Sequence, residues 1–410
     1  MAESCFKILK KDKKTNARVG EIQTKKGKLE TPFFMPVATK TSVKHISSLD
    51  LKEMDAKAII SNTLVLHLRP GEELIKKMGG IGKFMNYDGI NVTDSGGFQM
   101  YSKALYQKSE EKGVHFKNPY DGRTVFITPE KDMKIQIDLG SEIAMCLDTM
   151  PLMNHSKEQI ALAVERTTSW AKRCKEEHDK LQKKLPKNKR QLLWGITQGG
   201  IYPDLREKSA TELKEIDFDG YSCGGLALGE TLEEEMKMIK IHKKIIGENK
   251  PCYLMGAGNP VELLEAISLG VDMFDSRFPT QNARRGTIFT SKGKLRLTRK
   301  RYSLDKKPLD ENCDCFVCKT YTRAYIKYQL MQEEAVGYRL ATFHNLYYLQ
   351  KLMNQVRESI KKGKFKEFKT KIEKLYKKAD SDIRLDKPKK KKSKLEKYNE
   401  SKNKINNSAE

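Results

Sequence analysis

Eight short apolar runs, separated by longer amphipathic segments, are the feature that most restricts the fold of this chain. They occupy residues 33–38, 58–62, 90–93, 142–147, 192–197, 221–225, 252–256 and 271–274. Short apolar runs that alternate with helical segments are typical of repeated βα units around a parallel sheet. Eight such units predict an α/β fold, a closed (β/α)8 TIM barrel.

Polar residues or glycines stand where several of these runs end. They are Asp94, Asp148, Gln198, Gly224, Gly225, Gly256 and Asp275. The C-terminal ends of barrel strands form the face that carries active sites. Turn formation explains any one of these residues, but it explains the recurrence less well. The pattern therefore predicts a functional site at this end of the barrel.

Three of the eight cysteines lie close together, at Cys313, Cys315 and Cys318. This spacing suits a metal better than disulfides. His344 is the only histidine after His242 and offers a fourth ligand, which predicts a Cys3His site. Four protein ligands leave no position for water, so we expect one structural Zn2+, with an iron–sulfur cluster as the alternative.

The charge of the chain restricts its partners. The 410 residues contain 79 Lys or Arg against 54 Asp or Glu, a formal net charge of +25. This excess favours a polyanion such as nucleic acid, although charge alone does not separate RNA, DNA and anionic membrane. The sequence shows neither an apolar stretch long enough to span a bilayer nor a signal-peptide pattern. We expect a cytoplasmic protein without a membrane partner.

Composition divides the chain into three parts. We expect a barrel body over 1–295, a zinc-binding subdomain with closing helices over 296–376, and a lysine-rich, disordered tail over 377–410. The tail holds 12 Lys or Arg and 6 Asp or Glu, so most of the excess charge belongs to the body. A solvated tail and a tail that contacts RNA both remain open.

Asp94 and Asp275 are the best candidates for a pair of catalytic carboxylates. Two carboxylates suit glycosidic-bond chemistry, because one can attack the anomeric carbon while the other moves a proton. Asp at a strand end also caps helices, so spacing alone leaves both interpretations open.

Several longer motifs resemble those of the tRNA-guanine transglycosylases, or queuine tRNA-ribosyltransferases, over about residues 19–372. They are TPFFMPVA at 31–38, RPG at 69–71, TDSGGFQ at 93–99, FDGYSCGGLA at 218–227, YLMG at 253–256, DMFD at 272–275 and the zinc ligands. The resemblance implies a (β/α)8 barrel with a zinc subdomain. It also implies exchange of guanine at wobble position 34 of GUN-anticodon tRNAs for free queuine or 7-aminomethyl-7-deazaguanine, without ATP or a redox cofactor.

The resemblance assigns roles to individual residues. Asp275 is implied to be the nucleophile that forms a covalent ribosyl intermediate, and Asp94 the general acid/base. The base-binding positions are Asp94, Ser95, Phe98, Asp148, Gln198, Gly225, Leu226 and Met255. The tRNA-binding positions are Gly256, Ala257, Gly258, Asn259, Pro260, Val261, Glu262, Thr280, Gln281, Asn282, Ala283, Arg284 and Arg285.

Departures from the family pattern leave alternatives open. The segment NTLVL at 62–66 lacks the Tyr and His of the family's dimer contact, so a homodimer and a family heterodimer both remain possible. The competing functions are a non-catalytic accessory tRNA-binding subunit, an enzyme acting at tRNA position 15, and a zinc-stapled RNA-binding protein without activity. The presence of both Asp94 and Asp275 argues against the first and last.

Overall fold

A computed structural model describes residues 4–150 and 155–385 of the chain. The strands in these ranges are β1 Phe6–Lys11, β2 Arg18–Thr24, β3 Gly27–Thr31, β4 Phe33–Pro36, β5 Ala58–Asn62, β6 Ile90–Asp94, β7 Tyr106–Glu110, β8 Gly113–Lys117, β9 Thr124–Ile127, β10 Ile143–Met145, β11 Leu192–Thr197, β12 Gly220–Cys223, β13 Cys252–Leu254, β14 Met273–Ser276, β15 Thr287–Thr290 and β16 Gly293–Arg296.

The α-helices in the same ranges are α1 Ser48–Glu53, α2 Thr63–Leu68, α3 Glu72–Lys77, α4 Ile81–Met85, α5 Pro129–Leu139, α6 Lys157–Gln182, α7 Pro203–Ile216, α8 Leu232–Ile246, α9 Pro260–Ser268, α10 Phe278–Arg284, α11 Phe316–Thr320, α12 Arg323–Met331, α13 Ala335–Lys361 and α14 Phe365–Leu385. Single 3₁₀ turns cover Gly97–Tyr101, Lys187–Lys189 and Lys300–Tyr302.

Eight parallel strands form the central sheet, in the spatial order β4-β14-β13-β12-β11-β10-β6-β5. The sheet closes between β4 and β5, where Val37 forms a parallel bridge with Ile60 and the Ala38 N–H donates to the Ile60 carbonyl at 2.7 Å. Each strand coincides with one of the eight apolar runs. The predicted TIM-barrel fold is therefore confirmed.

Burial on both faces explains why the barrel strands are continuous apolar runs. The inner cluster includes Met35, Ile60, Val92, Trp194 and Met273, all at most 2% exposed. Side chains from successive strands fill the barrel interior in this way, so it is a packed core. The functional site must then lie at an end of the barrel.

Helix α8 shows how local sequence fixes the outer layer. Thr231 and Glu234 form a reciprocal capping box at its start, and Lys243 lies in its last turn, where a cation stabilises the helix dipole. Met238 and His242, one helical turn apart, are buried against the barrel. The helix therefore delivers a histidine to the back of the sheet.

Three smaller antiparallel sheets flank the barrel: β1-β2-β3, β7-β8-β9 and β15-β16. The apolar-run pattern did not predict them. Helix α13 then packs back onto the barrel, and the Gln350 amide donates to the Phe34 carbonyl of β4 at 3.1 Å. A single hydrophobic cluster joins Phe34 and Phe274 of the barrel to Phe343 and Leu346 of α13. The core is thus continuous across the sequence boundary at 295.

Helix α14 continues to Leu385, past the boundary expected at 377. Ile372, Tyr376 and Ala379 recur at helical spacing and are buried, which composition alone does not reveal. Their burial extends the folded body into the segment assigned to the tail. The remainder of the predicted tail, 386–410, lies outside the described residues.

Candidate active site and metal cluster

A cavity of about 340 Å³ opens at the C-terminal ends of the barrel strands. Many of the predicted site residues line this cavity. They are Asp94, Ser95, Phe98, Asp148, Gly225, Leu226, Met255, Gly256, Asp275 and Gln281. The structure brings both candidate catalytic carboxyls and most of the predicted base-binding residues to one concave site.

Asp94 ends strand β6 and is held by Asn62 of the neighbouring strand. The Asn62 amide donates to both carboxyl oxygens, at 2.8 and 3.0 Å, and the Gly96 N–H donates to Oδ1 at 2.9 Å. Burial raises the pKa of Asp94 to about 7, although these hydrogen bonds oppose the shift. A carboxyl that titrates near neutral pH can both donate and accept a proton.

Asp275 lies in β14 and has a different environment. Its Oδ1 accepts from the Tyr253 hydroxyl at 2.7 Å and from the Gly256 N–H at 3.0 Å. Burial raises its pKa, while those two donors and the Arg277 guanidinium lower it. Its second oxygen is not engaged by either donor, so the carboxylate presents that atom for attack on an electrophile.

Asp148 follows β10 and is anchored by two of the predicted base-binding residues. The Ser95 hydroxyl donates to Oδ1 at 3.1 Å and the Gln198 amide donates to Oδ2 at 2.6 Å. Burial raises the pKa of Asp148 to about 6. Gln198 Oε1 is buried without a partner. The site therefore offers acceptors and amide groups suited to the edge of a purine.

Two glycines keep this site open. Gly225 has a φ of +68°, and a Cβ at that position would lie 2.5 Å from Gln198 Oε1. A Cβ on Gly97 would lie 2.2 Å from Asp148 Oδ1. Any side chain at either position would displace the residues that line the cavity.

Phe98 and Met255 both line the cavity. Phe98 is 43% exposed, which is unusual for a large aromatic side chain in a folded protein. Its ring stacks on Tyr101 with centroids 5.4 Å apart, and the Arg277 guanidinium lies 5.7 Å from its centroid. An exposed aromatic face at the cavity can stack on a planar base.

The predicted tRNA-binding residues differ in their exposure. Ala257, Gly258, Pro260, Thr280 and Ala283 are buried, so these residues serve packing in this chain. Asn259, Val261, Glu262, Asn282 and Arg284 are half-buried, while Gly256, Gln281 and Arg285 are exposed. Arg284 Nη1 is a buried donor without a partner.

Sequence reasoning missed three residues that shape the site: Asn62, Tyr253 and Arg277. The available signal was the register of the barrel, because Asn62 pairs directly with Asp94 across β5 and β6. Tyr253 likewise lies on β13, which pairs with the strand that carries Asp275. Both follow only once neighbouring strands are known.

The second predicted site brings Cys313, Cys315, Cys318 and His344 together, with all four donor atoms within 4.8 Å of one another. The three sulfurs lie 3.8, 3.6 and 3.3 Å from His344 Nδ1. His344 Nε2 lies 2.8 Å from the Phe289 carbonyl. Because Nε2 must donate to that oxygen, Nδ1 carries the lone pair and faces the sulfurs. The cluster therefore fits a metal ion.

Comparison with known proteins decides the family. A family model described as queuine tRNA-ribosyltransferase matches residues 12–378. The chain belongs to the queuine tRNA-ribosyltransferase family. This confirms the resemblance that the motifs indicate, and with it the predicted enzyme class, a pentosyltransferase.

Individual relatives agree over nearly their whole length. A queuine tRNA-ribosyltransferase of Fusobacterium nucleatum is 48% identical over 367 residues, 89% of this chain and 96% of the relative. That of Lysinibacillus sphaericus is 47% identical over 363 residues, 88% and 93% of the two chains. That of Staphylococcus aureus is 45% identical over 364 residues, 89% and 94%.

The helices were also compared with the requirements of a membrane span. In the ranges 4–150 and 155–385, none combines the length and the apolar character needed to cross a bilayer.

Proposed function

We propose that this chain exchanges guanine at wobble position 34 of GUN-anticodon tRNAs for a free 7-deazaguanine base. The observation that carries the proposal is the single cavity that joins Asp94, Asp275 and the purine-edge residues around Asp148. The family match supports the same reaction. The tRNAs with such anticodons are those for Asp, Asn, His and Tyr.

Asp275 is assigned as the nucleophile. Its free carboxylate oxygen attacks C1′ of the ribose, the C1′–N9 bond breaks, and a covalent ribosyl ester forms. The incoming base then displaces Asp275 from the same carbon. Two successive displacements retain the configuration at C1′ and leave the phosphodiester chain intact. The Tyr253 and Gly256 donors support the assignment because they hold the carboxylate in place without occupying both oxygens.

Asp94 is assigned as the general acid/base. Its carboxyl gives a proton to the departing guanine, and the resulting carboxylate takes a proton from N9–H of the incoming base. In each exchange Asp94 therefore loses one proton to the departing guanine and regains one from the incoming base. A pKa of about 7 suits both directions, because neither protonation state is strongly disfavoured at neutral pH.

Recognition of the base is assigned to the remaining cavity residues. Asp148 accepts from N1–H and the exocyclic amine, and the Gln198 amide, which is fully buried and donates to Asp148 Oδ2, is assigned to O6. Phe98 and Met255 enclose the ring faces, while Gly225 and Leu226 form the adjoining backbone. The target base must leave its stack to enter, which costs a few kcal/mol that stacking and edge hydrogen bonds offset.

The surface beside the cavity is assigned to the anticodon backbone. Arg284 is half-buried and Arg285 is exposed at the same helix end, so both guanidinium groups suit phosphate oxygens. Gln281 lies at the cavity itself. The buried members of the predicted tRNA-binding set act by shaping the loop and helix that present these groups.

The Cys3His cluster is assigned to one structural Zn2+. Cys315 caps helix α11 and His344 belongs to α13, so a bound ion would tie these two helices together. Four protein ligands would complete a tetrahedral shell and leave no site for a reactive water. The proposed zinc therefore contributes stability, not chemistry at the base.

The decisive experiment uses tRNA with radiolabelled guanine at position 34. We expect label release when the full-length protein is chased with queuine or with 7-aminomethyl-7-deazaguanine, and separate chases identify the natural base. We also expect an RNA adduct that survives denaturing electrophoresis. Asp275→Asn should abolish both, whereas Asp88→Asn, an exposed carboxyl outside the cavity, should retain both.

Two results would contradict the proposal. An adduct that persists in Asp275→Asn would remove the nucleophile assignment. A wild-type protein that binds tRNA but releases no label with either base would instead support an accessory subunit.

A further inference from the structure

A second group of metal-ligating side chains lies in the wall of the barrel. Cys223 ends β12, Cys252 begins β13, and His242 reaches them from α8. All three residues are fully buried, and one ligand atom of each lies within 4.8 Å of the others. None of them lines the cavity, and none belongs to the Cys3His cluster.

The hydrogen bonds of Thr197 fix the state of the histidine. The Thr197 hydroxyl donates to the Ser222 carbonyl at 3.0 Å and accepts from Arg206 Nη1 at 3.2 Å. Its only hydrogen is thereby used, so His242 Nδ1, at 3.1 Å, must donate to the same oxygen. Nε2 then carries the lone pair, and it is buried without a hydrogen-bond partner.

The charges around the group point to an anionic centre. Arg206 is fully buried, and it donates hydrogen bonds to neutral oxygens of Thr197, Gly200 and Gly224. A buried guanidinium without a carboxylate partner is costly. Thiolates at the neighbouring Cys223 and Cys252 would supply the missing negative charge.

We propose that Cys223, His242 and Cys252 form a second metal site, which binds one thiophilic d10 cation, Cu+ or Zn2+. Two sulfurs and an imidazole nitrogen are the donors that these ions prefer. Binding releases two thiol protons to solvent for each ion. Two thiolates offset the positive charge of either ion, beside the Arg206 and Lys243 cations.

The ion would join three elements at the edge of the base site. It links α8 to the ends of β12 and β13, and Cys223 immediately precedes Gly224 and Gly225 of the cavity. Because all three ligands are inaccessible to solvent, loading is coupled to folding. The inference does not depend on the proposed reaction.

Metal content tests the site directly. The full-length protein is refolded without oxygen, either in excess Zn2+ or in one equivalent of Zn2+ with chelator-buffered Cu+ present throughout, and ions per chain are counted by native mass spectrometry. We expect two ions, either two Zn2+ or one Zn2+ and one Cu+. The Cys252→Ser and His242→Asn variants should each hold one ion. Asn is chosen at position 242 because its amide can still donate to Thr197.

A matched control is the Cys146 thiol, which is buried and interacts with the Cys174 thiol. Among the described residues, no histidine completes a metal group there. Cys146→Ser should therefore retain two ions. An unchanged ion count between wild type and Cys252→Ser would overturn the proposal.

X-ray absorption on the wild type serves if the variants do not fold. In protein folded with Zn2+ in the Cys3His cluster, bound copper should have two sulfur neighbours and one nitrogen neighbour. A wild-type protein that holds a single ion under both folding conditions, or bound copper without a nitrogen neighbour, would contradict the proposed site without recourse to a variant.

Discussion

Asp94 and Asp275 differ in their hydrogen-bond donors, and this difference is the physical basis for the separate roles that we propose for them. Asp94 meets a side-chain amide and a backbone N–H, and burial raises its pKa to about 7. Asp275 meets a phenol hydroxyl, a backbone N–H and a nearby guanidinium, each of which stabilises the carboxylate. Two carboxyls in one cavity can thus supply an acid and a nucleophile at the same pH.

The first prediction concerns pH. Formation of the covalent adduct needs Asp94 protonated and Asp275 ionised, so its single-turnover rate should fall as the pH rises through about 7. The acidic limb of the pH–rate profile should have an apparent pKa above the ordinary range for Asp, because burial also raises the pKa of Asp275. Quenched-flow measurements from pH 4 to 9 test both limbs. A rate that stays constant from pH 6 to 9 would remove Asp94 as the acid.

The same shift affects stability. The raised pKa means that folded Asp94 holds a proton between about pH 4 and 7 that the unfolded chain has already lost. Asp94 therefore raises the free energy of unfolding more at low pH than at high pH. This contribution declines as the pH rises through the window. Stability at this site is given up for a carboxyl that titrates near neutrality.

The second prediction concerns Tyr253. Tyr253→Phe removes the hydroxyl that donates to Asp275 at 2.7 Å, so the pKa of Asp275 should rise and the acidic limb should move to higher pH. Losing a hydrogen bond to a charged group costs about 1.5–3 kcal/mol, which corresponds to a rate loss of about 10- to 160-fold. Steady-state exchange across the pH range measures both effects.

Tyr221→Phe is the matched control. Tyr221 is also buried on a barrel strand, but its hydroxyl contacts the Phe218 N–H and the Leu213 carbonyl outside the cavity. The Tyr221→Phe variant should be less stable than the wild type, but the acidic limb of its pH–rate profile should not move. Equal shifts in the two variants would show that the effect of Tyr253 is structural.

At the scale of elements, one residue couples a helix to the catalytic strand. Asn62 ends β5 and caps α2, since its Oδ1 accepts from the Val65 N–H at 2.8 Å. The amide nitrogen of the same side chain binds Asp94. The cap fixes the orientation of the amide, so the helix positions Asp94, the proposed general acid.

The third prediction separates these two tasks. Asn62→Ser keeps a cap acceptor, whereas Asn62→Ala removes it, and both variants lose the amide that binds Asp94. We expect Ala to be less stable than Ser by about 1 kcal/mol in chemical denaturation. Both should lose exchange activity by a similar factor, of about tenfold or more. Recovery of wild-type activity in Asn62→Ser would show that the cap alone matters.

The barrel was predictable from sequence because its strands are buried on both faces and therefore form continuous apolar runs. The strand β7 carries the sequence YQKSE and has no buried residue, so no apolar run marks it. The motifs pointed to Asp94 and Asp275, the carboxyls that we propose as catalytic. Their partners Asn62 and Tyr253 were not predictable, because those contacts depend on which strands are neighbours.

At the scale of the whole molecule, the positive charge belongs mainly to the folded body. Residues 386–410 contain nine Lys or Arg and four Asp or Glu, so their removal leaves +20 of the +25. Affinity for nucleic acid depends on the phosphates that the protein neutralises, and each contact steepens the salt dependence by about one. The effect of removing residues 386–410 on tRNA affinity therefore depends on whether those residues contact phosphates.

The last prediction follows from this distribution. A chain that ends at Leu385 retains helix α14 and the basic groups of the proposed anticodon surface. We expect its tRNA affinity to stay within about threefold of the full chain, and the slope of log K against log salt to change by less than about 1. Arg285→Ala in the full chain should reduce the slope by about 1, although it removes only one charge. If the deletion lowers the tRNA affinity and the salt slope more than Arg285→Ala does, the dominant phosphate contacts lie in 386–410, even though the body keeps most of the positive charge.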